Sequence, residues 1–144
     1  MDSRSVYLSN YPGFNGAPSI DSTNYTPTNF NLGDDIWITT KISDANEVLL
    51  YYRSGSNQLF KSVNMLDNGL NNDGTAGDSI YGVKINNISN RIEYYIYAEN
   101  NDAGMFSPER AEKEFHQLAV VDKLVINEIM ASNISAVADQ SGEY

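Results

Sequence analysis

Apolar side chains in this chain alternate with polar ones in short runs broken by Gly, Asn, Asp and Pro, and helical periodicity is nearly absent. Alternation is what a half-buried strand requires, because successive side chains point to opposite faces of a sheet. From Asp35 to Ile42 it places Ile36, Ile38 and Ile42 on one face and Trp37, Thr39 and Lys41 on the other. Val48 to Arg53 reads as the next strand, closed by the turn Ser54-Gly55-Ser56-Asn57, and extended structure resumes from Leu59 to Met65. A polar loop from Asp67 to Ser79 leads into a short strand, Ile80 to Ile85, and a turn from Asn86 to Asn90. Ile92 to Glu99 carries the clearest alternation. Ile92, Tyr94, Ile96 and Ala98 share one face; Glu93, Tyr95, Tyr97 and Glu99 share the other. After a turn from Asn100 to Gly104, the stretch from Ser107 to Glu112 has two readings. One is a helical turn with Ser107 as N-cap and Pro108 first in the helix; the other is an extended edge. Phe115 to Val121 alternates again as a final strand. With an opening strand near Ser19 to Tyr25, the pattern predicts an all-β fold: an immunoglobulin-like antiparallel β-sandwich of about seven strands.

The expected core is Ile36, Ile38, Ile42, Leu49, Tyr51, Ile80, Ile92, Tyr94, Ile96 and Phe115, with Trp37 as a core or inter-sheet anchor. The sandwich is expected over residues 19–122. Residues 1–18 are polar, carry a Tyr-Pro-Gly turn at Tyr11 to Gly13, and read as a linker from an upstream domain. Residues 123–144 hold a single apolar run, Leu124 to Met130, followed by a polar stretch. A lone strand has nowhere to bury its face, so this segment reads as the truncated first strand of a neighbouring domain.

Composition narrows the function. At 41% hydrophobic, the 144 residues can form a buried core. A formal net charge of −10 argues against a nucleic-acid partner and against an anionic membrane surface, both of which need clustered Lys and Arg. The absence of cysteine rules out disulfides, thiolate catalysis and Cys-based zinc sites. No apolar stretch approaches membrane-spanning length, which argues against membrane insertion. The opening Met1 to Ser5 has no hydrophobic signal core.

Four sets of residues carry candidate chemistry: an aspartate loop, a histidine, the glutamates and a pair of tyrosines. The loop from Asp67 to Asp78 is rich in oxygen ligands on a glycine-flexed backbone, and Asp67, Asp73 and Asp78 are its candidate calcium ligands. Its spacing is not that of an EF-hand, with Asn72 where that loop needs Gly and Asp78 where it needs Glu. The competing reading is a polar turn whose Asp and Asn side chains cap their own backbone. His116, the single histidine, lies in a strand on the face opposite Phe115 and reads as a surface or half-buried residue, with no Gly-x-Ser-x-Gly elbow to serve. Glu93 and Glu99 share a strand face but lie about 20 Å apart along extended chain, beyond the ~5–9.5 Å of a glycosidase pair. Glu109, Glu112 and Glu114 fall among Arg110 and Lys113 and read as a solvated face. Tyr95 and Tyr97 share the outer face of their strand. Left uncovered, they form an aromatic strip suited to stacking on sugar rings; the competing reading is cross-strand packing.

Several segments resemble known families. Ile92 to Gly104 with Ser107-Pro108, Tyr25-Thr26-Pro27-Thr28, and the Asp67-Asn68-Gly69 to Tyr81 loop together resemble fibronectin-type-III-like and related bacterial immunoglobulin-like domains. Within that loop Asn68 and Ser79 depart from the family's Asp and Gly. Leu124 to Asn133 with Asp139 and Gly142-Glu143-Tyr144 resembles the opening of a bacterial lamin-tail domain, without the acidic-Trp-Ile-Glu-Leu segment that follows in that family. Arg4 to Leu8 resembles the end of a CotH-like kinase domain, none of whose catalytic motifs lies in this chain. These resemblances imply a piece of a secreted or cell-surface, Bacteroidetes-type multidomain protein. The implied role is that of a non-catalytic spacer or interaction module whose partners are neighbouring domains and a surface glycan or protein. A carbohydrate-binding module using Tyr95 and Tyr97 is the alternative. No cofactor beyond calcium is implied.

Overall fold

The computed structural model describes residues 16–120. The predictions for residues 123–144, for Arg4 to Leu8 and for most of the upstream linker lie outside these residues. Eight strands form in chain order: β1 (Ser19–Thr26), β2 (Ile36–Ser43), β3 (Glu47–Ser54), β4 (Lys61–Asn64), β5 (Ile80–Ile85), β6 (Ile92–Glu99), β7 (Gly104–Ser107) and β8 (His116–Leu118). All pairings between strands are antiparallel. One sheet has three strands in the order β1-β2-β5; the other has five, in the order β4-β3-β6-β7 with β8 also on β6. The fold is the expected all-β immunoglobulin-like sandwich. Eight strands appear in place of about seven because the last one is split. Both β7 and β8 pair with β6, and the chain between Ser107 and His116 leaves the sheet and returns.

The core lies between the sheets. Ile36, Ile38 and Ile42 from β2 meet Val48 and Leu50 from β3, Val83 and Ile85 from β5, and Ile92, Tyr94, Ile96 and Ala98 from β6. Phe30, Met65, Ile88 and Leu118 complete it from the connections and β8. Thr40 shares the inward phase of β2, and its hydroxyl donates to the Ser22 carbonyl at 3.0 Å, which satisfies a polar group in an apolar layer.

Four expected core residues sit elsewhere. Leu49 and Tyr51 point outward because the inward phase of β3 is Val48 and Leu50. The run Val48-Leu49-Leu50-Tyr51-Tyr52 is apolar in both phases, so alternation alone cannot choose. Pairing with β6 decides, setting Leu50 opposite Ile96 and Tyr51 opposite Tyr95. On β5 the inward residues include Val83 and Ile85, which puts Ile80 on the other face. Phe115 packs on the outer side of the larger sheet against Phe60. Trp37 is not in the core either: it is half-buried outside β2, with the Lys84 ammonium 5.1 Å from its ring centre. Between Ser107 and Glu112 neither reading holds. The strand ends at Ser107 and turns follow, with no helix.

The β4–β5 loop is pinned by aspartates. Asp73, wholly buried, accepts backbone N–H groups from Asn68 at 2.7 Å, Gly69 at 2.9 Å and Asn71 at 2.7 Å. Asp67 accepts from Gly77 and Ser79, and Asp78 from Thr75 and Ile80. Burial pushes the Asp73 carboxyl up, but the N–H groups of Gly69, Asn71 and Asn68 outweigh it and hold the group below the ordinary carboxylate value. The loop lies directly on β5: a Cβ added to Gly82 would fall 2.5 Å from the Asn71 carbonyl oxygen.

Candidate functional site

The outer face of the larger sheet is aromatic. Tyr51 on β3 and Tyr95 on β6 are cross-strand partners and stack with ring centres 4.8 Å apart and planes 8° from parallel. Phe60 meets the Tyr95 ring edge-on at 5.0 Å. Toward the other end Tyr97 packs on Phe106 of β7, centre to centre at 4.8 Å. Gly104 makes room for this, since a Cβ there would lie 2.5 Å from the Tyr97 hydroxyl oxygen.

The detour between β7 and β8 forms a wall beside this strip. Between strip and wall lies a cleft of about 680 Å³, lined by Tyr51, Tyr95, Tyr97, Gly104, Phe106, Glu109, Ala111 and Glu112. That volume is within the ~300–1,000 Å³ typical of small-ligand sites. A second depression of about 410 Å³ continues past Tyr51 and Tyr95 toward Arg53, Gln58, Leu59 and Phe60.

Polar groups are fixed along the cleft. The Tyr95 hydroxyl donates to Glu112 Oε1 at 3.1 Å, and the Tyr97 hydroxyl donates to Glu99 Oε2 at 2.6 Å. Burial and then the Glu112 carboxylate push Tyr95 up to about 12. The hydrogen bond to Glu99 and then burial raise Tyr97. Glu112 has a left-handed backbone at φ 70°, a conformation uncommon outside Gly, Asn and Asp.

At the far end of the face, Glu93 is buried beneath two arginines. Its Oε2 accepts from Arg53 Nε at 2.7 Å, and its Oε1 accepts from Arg91 Nη2 at 2.7 Å and Ser56 Oγ at 3.1 Å. Burial opposes its ionisation, but Arg53, Ser56 and Arg91 together hold its carboxyl below the ordinary range. The Arg53 guanidinium also lies 4.4 Å from the Phe60 ring centre.

No family model matches this chain, and no curated protein matches it. Among solved structures, a bromine derivative of BhCBM56, a carbohydrate-binding module, overlays 63% of this chain and 85% of its own at 14% identity, with a TM-score of 0.44.

The predicted site residues divide. Tyr95 and Tyr97 do share the outer face, but Tyr95 is only 3% exposed, covered by Tyr51, Phe60, Phe106 and Glu112. It forms the floor of the cleft and is not an open platform; Tyr97 is half-buried and Phe106 is 41% exposed. Phe106, Glu109 and Glu112 were not legible as site residues. The glutamates look like solvent-facing charge in sequence, and only the return of the chain over β6 brings them to the aromatic strip. Asp67, Asp73 and Asp78 occupy one loop, each with both carboxylate oxygens accepting backbone N–H groups. Among the described residues no three Asp, Glu or His side chains converge as a metal site. His116 is half-buried beside Tyr94, at 3.2 Å from the Ser107 hydroxyl. Burial lowers its pKa.

Proposed function

We propose that this sandwich is a non-catalytic interaction module of a secreted or cell-surface protein, and that its aromatic cleft binds carbohydrate. The cleft itself carries the reading. Tyr51, Tyr97 and Phe106 offer ring faces for the apolar side of a pyranose, and Glu109, Glu112 and the tyrosine hydroxyls lie where sugar hydroxyls need partners. The rings are held in advance by stacking, by Gly104 and by the bonds to Glu99 and Glu112, so little side-chain freedom is lost on binding. A module that only spaces its neighbours needs a stable sandwich and no such cleft; the spacer role accompanies binding in a longer chain.

A glycan array followed by calorimetry tests this. Binding of at least one polysaccharide class is expected, and Phe106→Ala is expected to abolish it while the protein stays folded with a modestly lowered thermal midpoint, because Phe106 is partly exposed on an edge strand and packs on Tyr97. Silence of the wild-type protein across broad glycans would leave only the spacer role. Hydrolysis of a bound glycan would overturn the non-catalytic assignment.

A further inference from the structure

The only charged side chains among the described residues that line the larger cleft are Glu109 and Glu112. Among the described residues no Lys or Arg pairs with either one, whereas Glu93 and Glu114 on the same side of the fold each have an arginine. Arg53, the cation of the neighbouring depression, is committed to Glu93 and to the Phe60 ring. Glu99 and Glu47 add negative potential around Tyr97. The aromatic rings contribute in the same sense, because the face of a tyrosine or phenylalanine ring is the negative pole of its quadrupole. Ring faces and carboxylates therefore favour one kind of ligand: an apolar-faced ring that bears a positive charge.

We propose that the cleft is selective for amino sugars with a free, protonated amine, glucosamine-type units, over neutral or N-acetylated sugars of the same length. The proposal rests on the carbohydrate reading and narrows it. A neutral sugar gains stacking and hydrogen bonds. A protonated amino sugar gains in addition a charge-assisted bond to Glu109 or Glu112 and attraction to the ring faces. Uronic acids and sulfated sugars are repelled by the same carboxylates.

The test is calorimetric titration at about pH 6 with oligomers of glucosamine, N-acetylglucosamine and glucose, equal in length, and with a lysine oligomer as a control for general attraction to an acidic protein. The glucosamine oligomer is expected to bind about tenfold or more tighter than the other two sugars, a difference of about 1.4 kcal/mol. Added salt should weaken it. Glu109→Gln/Glu112→Gln, which keeps the shape of both side chains, should bring its affinity down to that of the neutral oligomers. Equal or tighter binding of the neutral or N-acetylated oligomer overturns the proposal and leaves the carbohydrate reading standing. No binding of any sugar overturns both. Lysine-oligomer binding as tight as that of glucosamine, and insensitive to the double variant and to Phe106→Ala, also overturns the proposal.

Discussion

Asp73→Ala is expected to cost about 3 kcal/mol of folding stability, although Asp73 lies in a surface loop. A hydrogen bond to a charged group contributes about 1.5–3 kcal/mol, and three N–H groups converge on this carboxylate. The full sum is not lost, because Asn68 and Gly69 are exposed and water can replace the carboxylate at their N–H groups. What remains is the desolvated share around Asn71 and the loosening of a loop that packs on Gly82, about 3 kcal/mol in all. Against a total stability of about 5–15 kcal/mol, that is a large fraction, and it corresponds to a drop of about 12–20 °C in Tm. Urea unfolding followed by the fluorescence of the single tryptophan, with far-UV circular dichroism as a second probe, measures it. Asp73→Asn keeps one acceptor oxygen and is expected to lose about half as much. Millimolar calcium is expected to leave the wild-type midpoint unmoved, because the carboxylate oxygens of Asp67, Asp73 and Asp78 already accept N–H groups. An Asp73→Ala cost below about 1 kcal/mol, or a calcium-induced rise in Tm, would refute the reasoning.

Three further outcomes are expected. Gly104→Ala should displace the Tyr97 ring from its place beside Phe106, cost about 1–3 kcal/mol and weaken any cleft ligand; retained ligand affinity with an unshifted Tyr97 resonance would contradict it. Glu93→Gln removes the charge shared by two arginines and should cost about 2–3 kcal/mol, below the ~3–5 kcal/mol of a fully buried pair because Arg91 is 43% exposed; additive losses in a double-mutant cycle with Arg53→Met would argue against a coupled pair. Stability should be highest between about pH 6.5 and 10. His116 has a folded pKa below its ordinary 6.5, so the unfolded chain takes up its proton first and stability falls as pH drops below that value. Asp73 and Glu93, lowered from 3.8 and 4.5, contribute fully above those values and lose their contribution as pH falls through the lowered ones. Tyr94 and Tyr95, raised from 10.0 to about 12, contribute below 10 and lose it as pH rises toward 12. A chemical-denaturation series from pH 3 to 11 that shows no decline at either end would exclude this ordering.

Where one face of a strand is clearly apolar and the other polar, sequence sufficed: β2 turns Ile36, Ile38 and Ile42 inward as alternation demands; β5 and β6 have the expected limits, although on β5 Ile80 falls on the face opposite Val83 and Ile85. It failed at β3, whose two phases are equally apolar, and only the pairing with β6 separates Leu50 from Tyr51. It failed again for Trp37, where size suggested the core although alternation between Ile36 and Ile38 had already turned the ring outward. The site was legible only in outline. Tyr95 and Tyr97 could be assigned to a common face by counting along one strand. What covers that face depends on where the chain goes after Ser107, a non-local matter on which propensities are silent. The loop aspartates lie between these cases. A turn whose Asp side chains cap their own backbone was one of two readings, and Asp67, Asp73 and Asp78 do accept N–H groups within the loop. Only the Asp78–Ile80 bond has local Asx-turn spacing, however; the Asp67 bonds reach across the loop to Gly77 and Ser79, which no local pattern indicates.

The split of the last strand bears on more than the cleft. An uninterrupted strand there would expose a long row of unpaired N–H and C=O groups, a template onto which another chain could add. Instead that border consists of four residues in β7 and three in β8, separated by the detour. The opposite border, β4, is only four residues long and begins with Lys61. Neither side offers a docking length for a foreign strand. The larger sheet is thus guarded against edge-to-edge pairing, which leaves β1, eight residues long at the border of the smaller sheet, as the edge where a foreign strand could add.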